Sequence, residues 1–286
     1  MTKVLIETTG WIGDILFALS LPEKLKKERS EISRLDFLID KPQPYLLLKN
    51  NNYIDNVYLN NLTNSITYDF HYKMPVIEDK SIAPTIQYQK YCGIKNLSSE
   101  FQVEVEDLDI SVPKNTIAIQ GDWDTRIWNI TDEEAKLKIF DQTGVYSYYK
   151  TLRPIDFNKF IAKIIKQLPS YNFIIINPWN RTRSFSNDPR GYNSSPHDYR
   201  NNAATIKKCV ALLGAEGGLT NLSAGLGVKT IYTTCHMHRM FGEQGVISQC
   251  KDIQLGPEKL FPGKGHKAIS PFATQEEAIQ TIIENL

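Results

Sequence analysis

Asp14 ends the segment Lys3-Val4-Leu5-Ile6-Glu7-Thr8-Thr9-Gly10-Trp11-Ile12-Gly13-Asp14, an apolar run that breaks into a turn punctuated by two glycines. Glu216 holds the matching place in Val210-Ala211-Leu212-Leu213-Gly214-Ala215-Glu216-Gly217-Gly218-Leu219-Thr220-Asn221. Both segments read as buried strand, tight turn and helix start. In parallel sheets such turns lie at the carboxyl ends of strands, where ligands bind. A carboxylate at that place can take a proton from a hydroxyl or simply cap the helix. Asp14 is thus a candidate general base. Thr9, Gly10 and Trp11 before it offer a hydroxyl, a pliable backbone and a ring to a ligand in the turn. Glu216 is suited to hold two adjacent ribose hydroxyls. Gly217 and Gly218 let a ligand approach the backbone, and the helix opening at Leu219 and Thr220 aims its N–H groups at a phosphate.

Arginines supply the complementary charge. Arg126 follows an apolar strand, Thr116–Gln120, and is placed to neutralise a leaving phosphate. A long polar stretch, 177–202, holds Trp179, Arg181, Arg183, Arg190, Tyr192, His197, Tyr199 and Arg200 with only Asp188 and Asp198 as acids. Such a loop can clamp a diphosphate, stack a base or follow a nucleic-acid backbone, or it can be a solvated surface. Phe261-Pro262-Gly263-Lys264-Gly265-His266-Lys267 is a second basic piece and reads as a solvated loop. Cys235-His236-Met237-His238 has no second cluster at zinc spacing and reads as a strand end. Asp122-Trp123-Asp124 matches the letters of a divalent-cation motif. No metal site is expected.

The elements that must carry these residues alternate. Residues 3–8 form a strand, 14–29 a helix that Pro22 should kink or shorten, 35–39 a strand, 42–50 a short helix and 54–59 a third strand. That is a doubly wound half. Strand 68–74 and helix 82–92 follow, and 103–112 alternates as an edge strand or linker. After Pro113-Lys114-Asn115 the pattern begins again: strand 116–120, helix 131–141 with a Thr131/Glu134 capping box, helix 157–168, strand 173–176, helix 204–210, strand 211–214, helix 219–227, strand 230–234 and helix 275–286. The expected fold is α/β, two Rossmann-like doubly wound domains facing a cleft, divided as 1–113 and 114–286.

The composition bounds the alternatives. At 286 residues and 41% hydrophobic the chain can bury two ordinary cores. A net charge of +1 gives no global field for nucleic acid. The four cysteines show no CxxC spacing, no run reaches transmembrane length and no signal peptide is evident, so a reducing, cytoplasmic location is expected. Abundant Asn, Ile, Lys and Tyr fit an AT-rich coding sequence. Only Gly10 and Gly13 stand in the first turn, short of a GxGxxG dinucleotide fingerprint.

Ile12-Gly13-Asp14-Ile15, Leu35-Asp36-Phe37-Leu38-Ile39-Asp40, Asn52-Tyr53-Ile54-Asp55-Asn56-Val57 and Ala215-Glu216-Gly217-Gly218 through Gly227-Val228 together resemble the bacterial heptosyltransferases of lipopolysaccharide core synthesis. The resemblance implies a GT-B fold, acceptor on the first domain and nucleotide sugar on the second, with inverting transfer and no metal. It implies Asp14 as general base, Glu216 on the donor ribose or sugar, Gly217 and Gly218 along the donor phosphates, and Arg126 near the family's basic residue. Glu216 stands where the family has Asp, Asn221 where it has His and Lys229 where it has Pro. Two acceptors stay open: a surface glycan such as lipopolysaccharide core, or hydroxymethylated DNA as in phage enzymes, for which Trp11, Tyr72, Trp179 and Tyr192 are candidates to stack on a flipped base. A non-catalytic nucleotide-sugar-binding protein and a nicotinamide oxidoreductase are the remaining rivals.

Overall fold

The computed structural model describes residues 1–10, 12–42, 44–62, 66–75, 82–121, 123, 147–149, 157–176, 191–193, 199–233, 236–241, 246–252, 256–269 and 273–286; for 147–149, 157–158, 191–193, 236–241 and 246–252 it describes the backbone alone. The first half runs β1 (Thr2–Thr8), α1 (Ile12–Ala18), α2 (Pro22–Glu28), β2 (Ile32–Ile39), α3 (Tyr45–Lys49), β3 (Asn56–Leu59), β4 (Phe70–Lys73) and α4 (Pro84–Tyr91). Its strands form a parallel sheet in the order β3-β2-β1-β4. The single helix expected over 14–29 is two. Pro22 lacks an N–H to continue α1 and instead occupies the first turn of α2, where none is needed.

Alternation decides how this sheet is covered. Val4, Ile6, Leu35, Phe37 and Ile39 face a core filled by Ile15 and Leu16 of α1, Leu25 of α2, Leu47 and Leu48 of α3 and Tyr88 of α4. The alternate residues are Lys3, Leu5, Glu7, Arg34, Asp36, Leu38, His71 and Lys73, and period-two alternation sets them on the other face. The residues of α1, α2, α3 and α4 in this core cover the first of these faces. Asp36, fully buried on the polar face, accepts from Arg34 Nε at 2.7 Å, Tyr68 Oη at 2.7 Å and Asn56 Nδ2 at 3.2 Å. Those bonds offset the cost of burying its charge.

The second half continues with β5 (Thr116–Gln120), β6 (Ser147–Tyr149), α5 (Phe157–Gln167), β7 (Asn172–Ile176), β8 (Gly191–Asn193), α6 (Tyr199–Lys207), β9 (Ala211–Ala215), α7 (Gly218–Gly225), β10 (Lys229–Thr233), β11 (His236–Phe241), β12 (Val246–Asp252), α8 (Pro257–Leu260), β13 (Lys267–Ile269) and α9 (Gln275–Glu284). A parallel sheet of order β13-β10-β9-β5-β7-β8 is its centre. Phe160, Ile161 and Ile164 of α5 and Ile279 and Ile282 of α9 cover one face; Ala203 and Ile206 of α6 and Leu219 and Leu222 of α7 lie in the core on the other. A small antiparallel sheet, β12-β11-β6, lies apart. The helix expected at 131–141 falls outside the described residues.

Of the two readings of residues 103–112, edge strand or linker, the structure has the linker: they form neither strand nor helix. They run against the second half instead: Val103 N–H donates to Gly225 O at 3.0 Å, and Lys208 Nζ donates to the carbonyls of Leu108 at 2.7 Å and Ile110 at 3.2 Å. The polar loop ends earlier than expected, because α6 begins at Tyr199. Tyr199, Ala203 and Ile206 recur at helical spacing and are buried, and Arg200 pairs with Glu106.

One apolar core joins the halves. Phe101 packs edge-on against Phe17 of α1 and against Phe261, with ring centroids 6.4 and 5.1 Å away. Phe261 in turn meets His266 at 5.7 Å. The segment 261–267 is thus anchored by two buried side chains and is not a free loop.

Candidate active site at two opposed strand-helix turns

Each turn is built by its own strand and helix. β1 is buried at Val4, Leu5 and Ile6, and it delivers the chain to Gly10, whose φ is +123°. A side chain there would be strained, and its Cβ would stand 2.7 Å from Asp14 Oδ2. The Asp14 carboxylate therefore lies over the bare face of Gly10. Asp14 is in the first turn of α1, partly exposed. Thr9 is exposed at the turn. Thr8, buried at the end of β1, has no partner for its hydroxyl among the described residues.

β9 does the same for Glu216. Its strand is fully buried, Glu216 is 4% exposed, and Glu216 N–H donates to Thr233 O at 2.9 Å. Gln120, at the end of β5, extends the pairing with its side chain: Oε1 accepts from Ala215 N–H at 3.0 Å. Gly214 lacks a side chain where that carboxamide lies. Thr220 Oγ1 accepts from Gly217 N–H at 3.0 Å and so binds the first turn of α7 to its entry. Leu219 and Thr220 are buried, and Asn221 Oδ1, also buried, has no partner among the described residues. Trp123 Nε1 donates to Thr233 Oγ1 at 2.9 Å, and its ring packs on Phe160 at the same end of the sheet.

The two turns meet. A Cβ on Gly13 would be 3.8 Å from the backbone of Gly218, and a Cβ on Gly218 would stand 3.2 Å from Gly13 N and collide with Ile12 Cγ2. The N-termini of α1 and α7 are therefore in van der Waals contact, with Asp14 and Glu216 on the two sides of that contact. Positive helix ends and opposed carboxylates suit a ligand that carries both phosphate and hydroxyl groups.

Two tyrosines sense these carboxylates, and neither was singled out by the sequence. Tyr88 of α4 is 3% exposed; burial first, and then the charge of Asp14, hold its phenol proton well above the ordinary range. Tyr232 of β10 is raised by burial first and, among lesser causes, by Glu216 and Glu258. Its oxygen accepts from Glu258 N–H at 3.1 Å. Helical spacing in Thr85, Tyr88 and Gln89, all buried, is the signal that marks the inner face of α4.

Tyr72, a candidate on the acceptor side, lies opposite Ile6 in the pairing of β1 with β4. Its hydroxyl accepts from Arg29 Nη1 at 2.7 Å, its ring stacks on Phe70 and it meets Tyr91 edge-on. Arg29 precedes β2, at the end of the sheet opposite the turn. Tyr91 lies one helical turn along α4 from Tyr88, the tyrosine that the charge of Asp14 reaches. Trp11, Arg126, Arg181 and Arg183 lie outside the described residues, as do Trp179, Asp122, Asp124 and Cys235. Cys92 and Cys209 are free, buried thiols, each pushed up to about 12, chiefly by burial. Among the described residues no three of His, Cys, Asp and Glu come together as a metal site, and no helix is long and apolar enough to cross a membrane.

Two α/β domains, each built on a parallel sheet, whose strand-helix turns meet are the pattern of the GT-B class of fold. Solved structures share it across the whole chain. Heptosyltransferase WaaC of E. coli, with ADP-2-deoxy-2-fluoro heptose, is similar at a TM-score of 0.62 and 11% identity over 100% of both chains. The family 9 glycosyltransferase of Veillonella parvula is similar at 0.61 and 10%, over 99% of this chain and 89% of that one. The iron-containing dodecameric glycosyltransferase TibC from enterotoxigenic E. coli is similar at 0.58 and 10%, over 99% and 76%. No family model matches the sequence, and no curated protein matches it. The fold is thus that of heptosyltransferases, as the motifs imply.

Proposed function

We propose that this chain is an inverting, metal-independent glycosyltransferase acting in the cytoplasm. Residues 114–286 hold a nucleotide sugar and residues 1–113 an acceptor hydroxyl, a surface glycan such as lipopolysaccharide core. Asp14 takes the acceptor proton. The acceptor oxygen bonds to the anomeric carbon as the bond from that carbon to the phosphate oxygen breaks, and the nucleotide leaves with the electron pair. Glu216 holds donor hydroxyls. Gly217, Gly218, Leu219 and Thr220 present backbone N–H groups to the phosphates, joined by Arg126, Arg181 and Arg183. Thr9, Gly10 and Trp11 line the acceptor side.

The observation that supports this reading is the contact of Gly13 with Gly218, by which the turn that carries Asp14 lies against the first turn of α7. Thermal stability against ADP, UDP, GDP and CMP and their sugars tests it. A nucleotide at 100 times its dissociation constant stabilises by about 2.7 kcal/mol. Selective stabilisation by ADP supports heptosyl-type transfer to a glycan. A response to UDP or GDP directs the acceptor assay to hydroxymethylated DNA. Binding without turnover marks a non-catalytic protein, and no response to any nucleotide counts against glycosyl transfer. Transfer that survives 5 mM EDTA, a chelator excess of about a thousandfold over protein, supports metal independence. Asp14→Ala should lower transfer by about 10² to 10⁴-fold.

A further inference from the structure

Gly10 is held from two sides. Its N–H donates to Asp40 Oδ1 at 3.2 Å, and its bare face carries the Asp14 carboxylate. Asp40 is the first residue beyond β2, so it reaches the β1 turn from the neighbouring strand. Lys41 Nζ lies 3.2 Å from the other oxygen, Asp40 Oδ2, which leaves Oδ1 for the amide. The Asp40 side chain is 34% exposed, so burial does not explain its place; the hydrogen bond does.

We propose that Asp40 is a positioning residue for Asp14. By fixing the Gly10 amide it holds the glycine at positive φ, and that conformation seats the Asp14 carboxylate at the cleft. Glycine populates both signs of φ with similar ease, so without its partner the turn relaxes and the seat moves. A base displaced by about 1 Å loses up to about a hundredfold in rate. This inference rests on the reading of Asp14 as the base.

The test compares wild type, Asp40→Ala, Asp40→Asn and Asp14→Asn. Nucleotide release is measured from ADP-heptose, ADP-glucose, UDP-glucose and GDP-mannose, with water as acceptor, beside amide hydrogen exchange at Gly10 and thermal midpoints. Asp40→Ala should keep the wild-type midpoint, exchange Gly10 faster and lower kcat about ten- to a hundredfold, with donor KM within about twofold. Asp40→Asn keeps an acceptor oxygen and should regain most of both. Wild-type rates in Asp40→Ala, with Asp14→Asn inactive, overturn the proposal and leave the base in place. Unchanged Gly10 exchange in Asp40→Ala overturns it whatever the activity. An active Asp14→Asn protein overturns the base and the proposal together.

Discussion

Gly218 and Ile12, the first residues of α7 and α1, touch so closely that any side chain on Gly218 would overlap Ile12 Cγ2. This contact sets how near the two turns come. Gly218→Ala should cost about 1–3 kcal/mol in urea unfolding, the usual result of overpacking. In an Ile12→Ala background the same change should cost less, because the colliding methyl is gone and only the 3.2 Å approach to Gly13 N remains. Equal costs in both backgrounds would mean the two turns are not in contact.

Gln120 and Gly214 make a second exclusive pair. Gly214→Ala should push the Gln120 carboxamide away from Ala215 N–H and leave a buried donor unpaired, a loss of about 1–3 kcal/mol. Because Ala215 precedes Glu216, the affinity for nucleotide should fall as well. Gln120→Glu retains an acceptor oxygen and should retain affinity, whereas Gln120→Leu should not. Calorimetric titration with the nucleotide that stabilises wild type reads the difference.

Glu216 and Asp14 should separate binding from chemistry. On the proposed reading Glu216→Ala would remove hydrogen bonds from a charged group to the donor, worth about 1.5–3 kcal/mol, so nucleotide-sugar affinity should drop at least about tenfold. Asp14→Ala should leave that affinity unchanged while transfer fails. Isothermal titration of both variants with the intact nucleotide sugar distinguishes the two roles, and loss of affinity in Asp14→Ala would reverse them.

His266 predicts a pH dependence. Burial, and then Lys229, lower its pKa to about 4, and its Nδ1 accepts from Thr230 N–H at 3.2 Å, so the folded ring is neutral. Between its ordinary value of 6.5 and about 4, the unfolded chain binds a proton there that the folded chain refuses. Stability therefore falls as pH drops through that window, by about 2–3 kcal/mol in all. His266→Gln should flatten this part of the curve of unfolding free energy against pH. A curve as steep as wild type would assign the acid sensitivity to other groups.

Local pattern carried the sequence far in both halves. The buried runs of β1, β5, β7 and β9 are continuous apolar stretches, as strands covered on both sides or set centrally in a sheet must be. Asp14 and Glu216 were legible because glycine punctuation after such a run marks a turn at the strand's carboxyl end. Residues 103–112 were not: their alternation mimics a strand, yet Phe101 and Val103 face inward only because Gly225 lets them approach. Of β11 only residues 236–238 were read as a strand end, and β12 was not read at all, because His236–Phe241 and Val246–Asp252 mix polar and apolar residues without a clear period.

The amino-acid sequence by itself determined the strand-turn-helix units, the identity of the two carboxylates and the α/β class, since each depends on residues adjacent along the chain. Tertiary structure alone decided which groups meet. It put Gly13 against Gly218, brought Asp40 to Gly10 and set Tyr88 within reach of the charge of Asp14. It also buried Asp36 beside Leu5 in the first sheet, with Arg34, Asn56 and Tyr68 as its partners. Period and propensity fix which face of an element is buried, but not which distant element covers it. That choice belongs to the packing of whole layers, where a missing Cβ at Gly218 or Gly225 counts for as much as any side chain present.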